Sequence, residues 1–455
     1  MTETPHPWKR RMRHYWPILP LILIMLLLAI PELDNMGYVP WASNTCNLQE
    51  ADQGGFSGKL YGPITRWALR FTPTPIVAIV YIDSKTKPPE VFTNTCEARV
   101  LLSRLVEDLN SLHANVIVID KYYSATSCTD QAKNQIFLDA MNKSAVPVVV
   151  GQPTHKLADT SKTDGCLALT PRFEFDKKAN VHYGLTRLNS DTLKLPLRWP
   201  IFQESDKPGV APVQVPEETG VGDSLALVAA TQQDPNIEKD PSVQKLLSMH
   251  LHPYTTFLDT PNPNALSSTN AMTVLCSAEK VPLDGYGQPL RDACKGMVQP
   301  IDNLDQKNLK LGGKIVVIGD ESTEGDMQPF PGEDPKSGTW LQANYIQALL
   351  DHRFLREVPL KLTLACLVLF IFVVYCLFWY IEKPERALLA SLIILAILIV
   401  VSLAILVSTS YFTPLWALWG GSVLVAFRYL ETKAHHLSAH LKQQHAHPTE
   451  QTQKK

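Results

Sequence analysis

Apolar residues along this chain fall into runs of three kinds, and each kind predicts a different element. Short unbroken runs come first: Ile76 to Ile82 stops at Asp83, Val116 to Ile119 at Asp120, and Ile315 to Ile318 at Gly319 and Asp320. Runs without polar alternation are how parallel strands buried on both faces read. The second kind has helical period. Leu101, Leu102, Leu105, Val106, Leu109 and Leu112 line one side of a helix predicted over Glu97 to Leu112, which gives it a face to bury. A second helix over Gln131 to Met141 leads into a strand at Val146 to Val150. Right-handed crossovers set both helices of this β-α-β-α-β unit against a parallel sheet. After the strand ending at Asp320, Trp340 to Leu350 reads as another helix.

The third kind is long. Trp16 to Ile30, Leu360 to Ile381, Ala387 to Val407 and Tyr411 to Phe427 are apolar with few or no charges, as transmembrane helices are. The first follows Lys9-Arg10-Arg11 and lacks a small-x-small cleavage site, so it reads as an uncleaved anchor and not as a signal peptide. Arg10, Arg11, Arg13, Lys383, Arg386, Arg428 and Lys433 then fall on one side of the bilayer, which the positive-inside rule assigns to the cytoplasm. The expected organisation is a cytoplasmic 1–15, a span at 16–31, an extracytoplasmic domain at 32–358, spans at 360–381, 387–407 and 411–427, and a cytoplasmic tail at 428–455. The fold class is an α/β extracytoplasmic domain with a mainly parallel sheet, plus four transmembrane α-helices. This places the chain in a cell (inner) membrane, multi-pass, with its large domain in the periplasm.

Residues 152 to 312 are rich in Pro, Asp, Thr and Asn, with short periodic pieces at Ser224 to Ala230 and Ala271 to Cys276. They predict long loops and one helix near Ser242 to Met249.

A net charge of -2 and a pI near 6.7 supply no positive field for nucleic acid. Cys46, Cys96, Cys128, Cys166, Cys276 and Cys294 all lie between the first and second spans, and Cys366 and Cys376 lie inside one. Their spacings match no zinc pattern, so disulfides in an oxidising compartment are expected of the six. Cys276 and Cys294 bracket a turn-rich stretch and form the favoured local pair.

Ligands of parallel sheets sit outside the carboxyl ends of the strands. Asp83, Asp120, Asp320, Glu321 and Asp326 belong on that rim and are the candidate ligand-binding residues. Carboxylates converging there suit a hard cation, yet each also serves as a helix cap or turn residue, and no calcium-loop pattern is present. No metal or cofactor is therefore assigned. Catalysis finds no support either: the sequence has no Gly-x-Ser-x-Gly elbow, His-Glu-x-x-His helix or phosphate-binding loop.

Asp83-Ser84, the helix beginning near Arg99, Val116 to Asp120, Asp130 and Phe137 resemble the first half of the CHASE sensory domain of the second type. Leu195-Pro196-Leu197, Ser224 to Ala230, Gly313 to Gly319, Gly325-Asp326, Pro329, Ala343-Asn344 and Leu349-Leu350 resemble its second half. The layout of one span before the domain and three after it is similar too. Three departures stand out: Lys87 to Cys96 in place of a Trp-Pro-rich step before the first helix, an extra stretch from Glu333 to Thr339, and Gln342 where many members have His before Ala-Asn. The resemblance implies a membrane-anchored sensory or ligand-binding module with an unknown ligand or extracytoplasmic protein as partner. Since residues 428–455 hold no output enzyme, a separate cytoplasmic or membrane partner is expected to carry the signal. Two other readings remain open at this point: a scaffolding envelope protein using the fold as a docking platform, and an exported metal-dependent hydrolase.

Overall fold

The computed structural model describes residues 75–82, 95–121, 128–152, 154–156, 167–170, 172–188, 194–199, 201–203, 213–214, 222–247, 254–257, 266–277, 311–321, 327–328, 335–352, 354–357, 360–381, 383–409, 411–412, 422, 425–434 and 437–438. The chain divides into two units, one of residues 41–354 and one of residues 1–40 with 355–455.

The first unit is built on six parallel strands: β1 (Val77–Ile82), β2 (Val116–Ile119), β3 (Val148–Gln152), β4 (Val181–Leu185), β5 (Ser267–Asn270) and β6 (Ile315–Asp320), in the spatial order β5-β1-β6-β2-β3-β4. Every pairing is parallel. The apolar runs behave as their lack of alternation requires. Val77, Ile79, Val116, Val118, Ile315 and Val317 face one core, while Ala78, Val80, Ile117, Ile119, Val316 and Ile318 face the other.

Helices α1 (Thr95–Ser111), α2 (Gln131–Asn142) and α5 (Ala271–Ser277) cover the second face, and α3 (Leu225–Gln233), α4 (Pro241–Leu247) and α6 (Gly338–Leu350) contribute to the first. Side chains start several of them. Asp130 Oδ1 accepts from the Ala132 and Lys133 amides at 3.1 and 3.3 Å, Ser224 Oγ from the Leu227 amide at 3.2 Å, and Ser337 Oγ from the Trp340 amide at 3.2 Å. Each such cap contributes about 1 kcal/mol.

Two strands of this sheet, β4 and β5, lie in the stretch that reads as loop. β5 is Ser-Ser-Thr-Asn and pairs at the edge with Ala78 to Tyr81 of β1, so tertiary pairing and not propensity makes it a strand. Helix α4 falls where a helix is expected over Ser242 to Met249, of which residues 248 and 249 lie outside the described ones, and α3 and α5 match the two periodic pieces.

In the second unit, α7 (Leu360–Tyr380) and α8 (Pro384–Thr409) are long and apolar enough to cross a membrane, with mean hydropathy 2.7 and 3.2 over their span segments. They pack through Phe370, Val374 and Phe378 against Ala387 and Leu395, joined by Val425 from a helix at 425–434. These are two candidate spans among the described residues. The first expected span lies outside those residues. The last departs from expectation at its start, since Tyr411–Phe412 is extended, and helix continues past Phe427 to residue 434. The Arg428 guanidinium stacks 4.7 Å from the centre of the Tyr375 ring and pairs with Glu431.

Candidate functional site at the carboxyl ends of the strands

Asp120 follows β2 and Asp320 ends β6, and because β6 and β2 are neighbours the two come to one edge. The Asp120 amide donates to the Ile318 carbonyl at 2.8 Å, which carries the ladder up to the rim. Glu321 follows directly and is exposed. Asp83 and Asp326 lie outside the described residues, so the shared edge is observed for Asp120, Asp320 and Glu321.

The structure adds a cation to this rim. Lys121 Nζ lies 2.6 Å from Asp320 Oδ2, with both side chains partly exposed. It also adds hydroxyls. Tyr81, opposite Gly319 in register, bonds Ser337, and its phenol is pushed up to about 12, chiefly by burial and also by Glu321, with the Ser337 bond opposing. Among the described residues no group of three or more His, Cys, Asp or Glu could hold a metal ion.

Close approaches pack the strand ends together. A Cβ on Gly319 would fall 2.1 Å from Thr339 Oγ1, and one on Gly151 would fall 2.6 Å from both the Lys121 carbonyl oxygen and Thr186 Cγ2. Glycine is required at both places by contact with neighbouring strands and α6. Gln342 Nε2 donates to the Thr186 carbonyl at 3.0 Å. Thr339 Oγ1 and Gln342 Oε1 are shut from solvent and make no hydrogen bond among the described residues; leaving such a group unbonded costs about 1–3 kcal/mol.

A staple flanks the rim. Cys96 and Cys128 form a disulfide with Cα atoms 5.3 Å apart, tying the start of α1 to the segment that leads into α2. Around it, Asn134 Nδ2 donates to the Cys128 carbonyl at 3.1 Å, and Arg99 Nη1 donates to Asn134 Oδ1. The fully buried Arg99 guanidinium also lies 4.9 Å from the centre of the Phe173 ring, and Lys133 pairs with Glu97. Since α1 and α2 follow β1 and β2, the disulfide joins the chain where it enters the helices that come after those two strands. Cys276 is disulfide-bonded as well; Cys46, Cys166 and Cys294 lie outside the described residues.

Sequence reading did not place Lys121, Tyr81 or Thr339 at the rim, and it noted Gln342 only as a departure from the family pattern. Lys121 directly follows a predicted rim aspartate, which is the one local signal available. Thr339 and Gln342 join the rim only because α6 packs across the sheet.

With this geometry in hand, the chain compares with known families as follows. A family model of the CHASE2 domain matches residues 41–377. No curated protein and no solved structure matches the chain.

Proposed function

The chain belongs to the CHASE2 domain family, whose members are extracellular sensory domains and not enzymes, and from that membership we propose that this protein is a membrane-anchored sensor. In this reading residues 32–358 lie outside the cytoplasm, between an anchor at 16–31 and spans at 360–381, 387–407 and 411–427, with 1–15 and 428–455 in the cytoplasm of a cell whose inner membrane holds the protein. The family match carries the proposal, because it begins ahead of the sheet and ends at residue 377, inside α7. Outward-facing Val368, Leu369 and Phe372 of α7 and Leu389, Ile393 and Ile397 of α8, each more than half exposed, support a lipid environment.

The ligand or extracytoplasmic partner meets the rim at Asp83, Asp120, Asp320, Glu321 and Asp326, where parallel strands place their crevice. Occupancy is relayed to a separate membrane or cytoplasmic partner. The test is Asp120→Asn with Asp320→Asn in the full chain, followed by crosslinking in intact membranes. Partner or ligand capture falls about tenfold or more, as expected when buried or half-buried charges at a contact are removed, and membrane insertion is unchanged. Normal capture by the double variant would instead favour a docking platform that does not use the rim.

A further inference from the structure

The helix that closes the membrane unit is covered on one side only. It is described over residues 425–434 and again at Leu437 and Ser438. Val425, 1 % exposed, belongs to one apolar cluster with Phe378 of α7, Ala387 of α8 and Tyr429. Arg428, Glu431 and Thr432 are partly covered, whereas Ala426, Leu430, Lys433, Ala434 and Leu437 are exposed. At 3.6 residues per turn those exposed positions form one stripe. Its leucines are mostly open, Leu430 at 63 % and Leu437 at 58 %.

Each charge beside this stripe is tied to the packed side. Lys433 Nζ donates to Tyr429 Oη at 3.1 Å, the Arg428 guanidinium lies on the Tyr375 ring, and Glu431 accepts from Arg428. The middle of the open side is therefore apolar, where a solvated helix carries polar residues.

Length, charge and spacing select the occupant. In the topology proposed above, Leu437 stands about 15 Å of helix beyond the end of the last span at Phe427, past the hydrocarbon core. Lipid tails do not reach it. A partner of either charge gains little here, because Arg428, Glu431 and Lys433 already have partners. Leu430 and Leu437 are seven residues apart, with the small Ala426 and Ala434 interleaved, and seven is the repeat at which two helices wind together. The sequence continues the spacing at Leu441. Two copies in one membrane send this helix out in the same direction, so a two-fold pair is parallel and sets each leucine against its own counterpart. Four apolar side chains per copy cover far less than the roughly 1,200 Å² that holds soluble partners together. The membrane supplies the rest by keeping two copies aligned and at high effective concentration.

We propose that the open stripe of this helix is a docking surface for a second copy of the chain, packed through Leu430, Ala434 and Leu437 as a parallel helix pair. The inference rests on the sensor reading for its place, the cytoplasmic side, and it names a partner there.

The test uses the full chain in native membranes, with the free Cys366 and Cys376 replaced by Ser and one cysteine introduced at a time: Leu430→Cys, Leu437→Cys or, on the packed side, Thr432→Cys. Oxidation with copper phenanthroline links Leu430→Cys and Leu437→Cys into a species of twice the chain mass, about tenfold more than Thr432→Cys or the parent chain. Adding Leu430→Lys to Leu437→Cys lowers the linked fraction about tenfold, because like charges then meet across the pair. Exposed substitutions of this kind leave the fold intact. No linkage at either leucine, equal linkage at Thr432, linkage that ignores Leu430→Lys, or linkage of the leucine cysteines to a different protein overturns the inference. A membrane-impermeant maleimide locates the site: Leu437→Cys reacts only after sealed spheroplasts are opened. Reaction from outside with linkage retained overturns the sensor topology and keeps the pair, whereas reaction only after opening, without linkage, overturns the pair and keeps the topology.

Discussion

Val80 in β1 and Val368 in α7 are the same side chain in equally apolar surroundings, yet the first is 0 % and the second 64 % exposed. The difference lies in what each run can reach. Six residues of strand extend about 20 Å and leave their backbone groups to neighbouring strands, so β1 is stable only inside a sheet with helices on both faces. The 21 residues of α7 satisfy their own backbone over about 30 Å, the thickness of a bilayer core, and can turn their side chains outward to lipid. Hydrophobicity alone does not say where a residue is buried; the length of the run and the route of its hydrogen bonds do.

The largest effect expected from breaking this comparison comes from placing one carboxylate in each region. Val317→Asp buries a charge at a position that is 0 % exposed and prevents the sheet unit from folding, a loss of about 5 kcal/mol or more, read as loss of protease resistance. Ile397→Asp, on an outward-facing position of α8, leaves the sheet unit resistant but costs insertion about 3 kcal/mol, read by alkaline extraction from membranes. Loss of protease resistance in the sheet unit of Ile397→Asp would break the comparison.

A smaller effect separates the covalent chemistry of the two regions. Replacing Cys96 and Cys128 by Ser lowers the stability of the sheet unit by about 2–4 kcal/mol, since their disulfide closes a 32-residue separation. Replacing the free Cys366 and Cys376 by Ser leaves it unchanged. Denaturant midpoints with and without reductant check both statements: reductant lowers the wild-type midpoint by more than that of the Cys96/Cys128 variant, which keeps the disulfide of Cys276.

The smallest effect concerns Asp108, 2 % exposed on α1 beside Arg104 at 3.4 Å. Burial pushes its carboxyl up to about 7, against the attraction of Arg104 and with Glu107 adding to the rise. The folded state therefore holds a proton that the unfolded state releases near pH 4. Its stabilising influence is complete below that value and is lost as pH rises toward 7. Between pH 5 and pH 7.5 wild type loses on the order of 1 kcal/mol relative to Asp108→Asn, measured as the difference between their unfolding free energies at each pH; parallel profiles would remove Asp108 as the cause.

The sequence by itself determined those elements whose signal is contained within a single run. The apolar strands β1, β2, β3 and β6, the periodic helix α1, the helices α2 and α6, and the two long helices α7 and α8 all announce themselves this way, because burial on both faces, burial on one face and an apolar run of bilayer length leave distinct spacings. The same runs place Asp120 and Asp320 at one edge, since parallel strands ending in acids bring those acids together whatever the loops do. Only the tertiary structure decided the rest. β5 has no apolar signal and becomes a strand because β1 offers it an open edge. Lys121 neutralises Asp320 across two strands that are remote in sequence, and Gln342 reaches Thr186 over 156 positions. Cys96 finds Cys128 among several possible partners because α1 and α2 begin side by side. Such pairings depend on which surfaces the folded sheet brings within bonding distance, and distance along the chain carries no record of that.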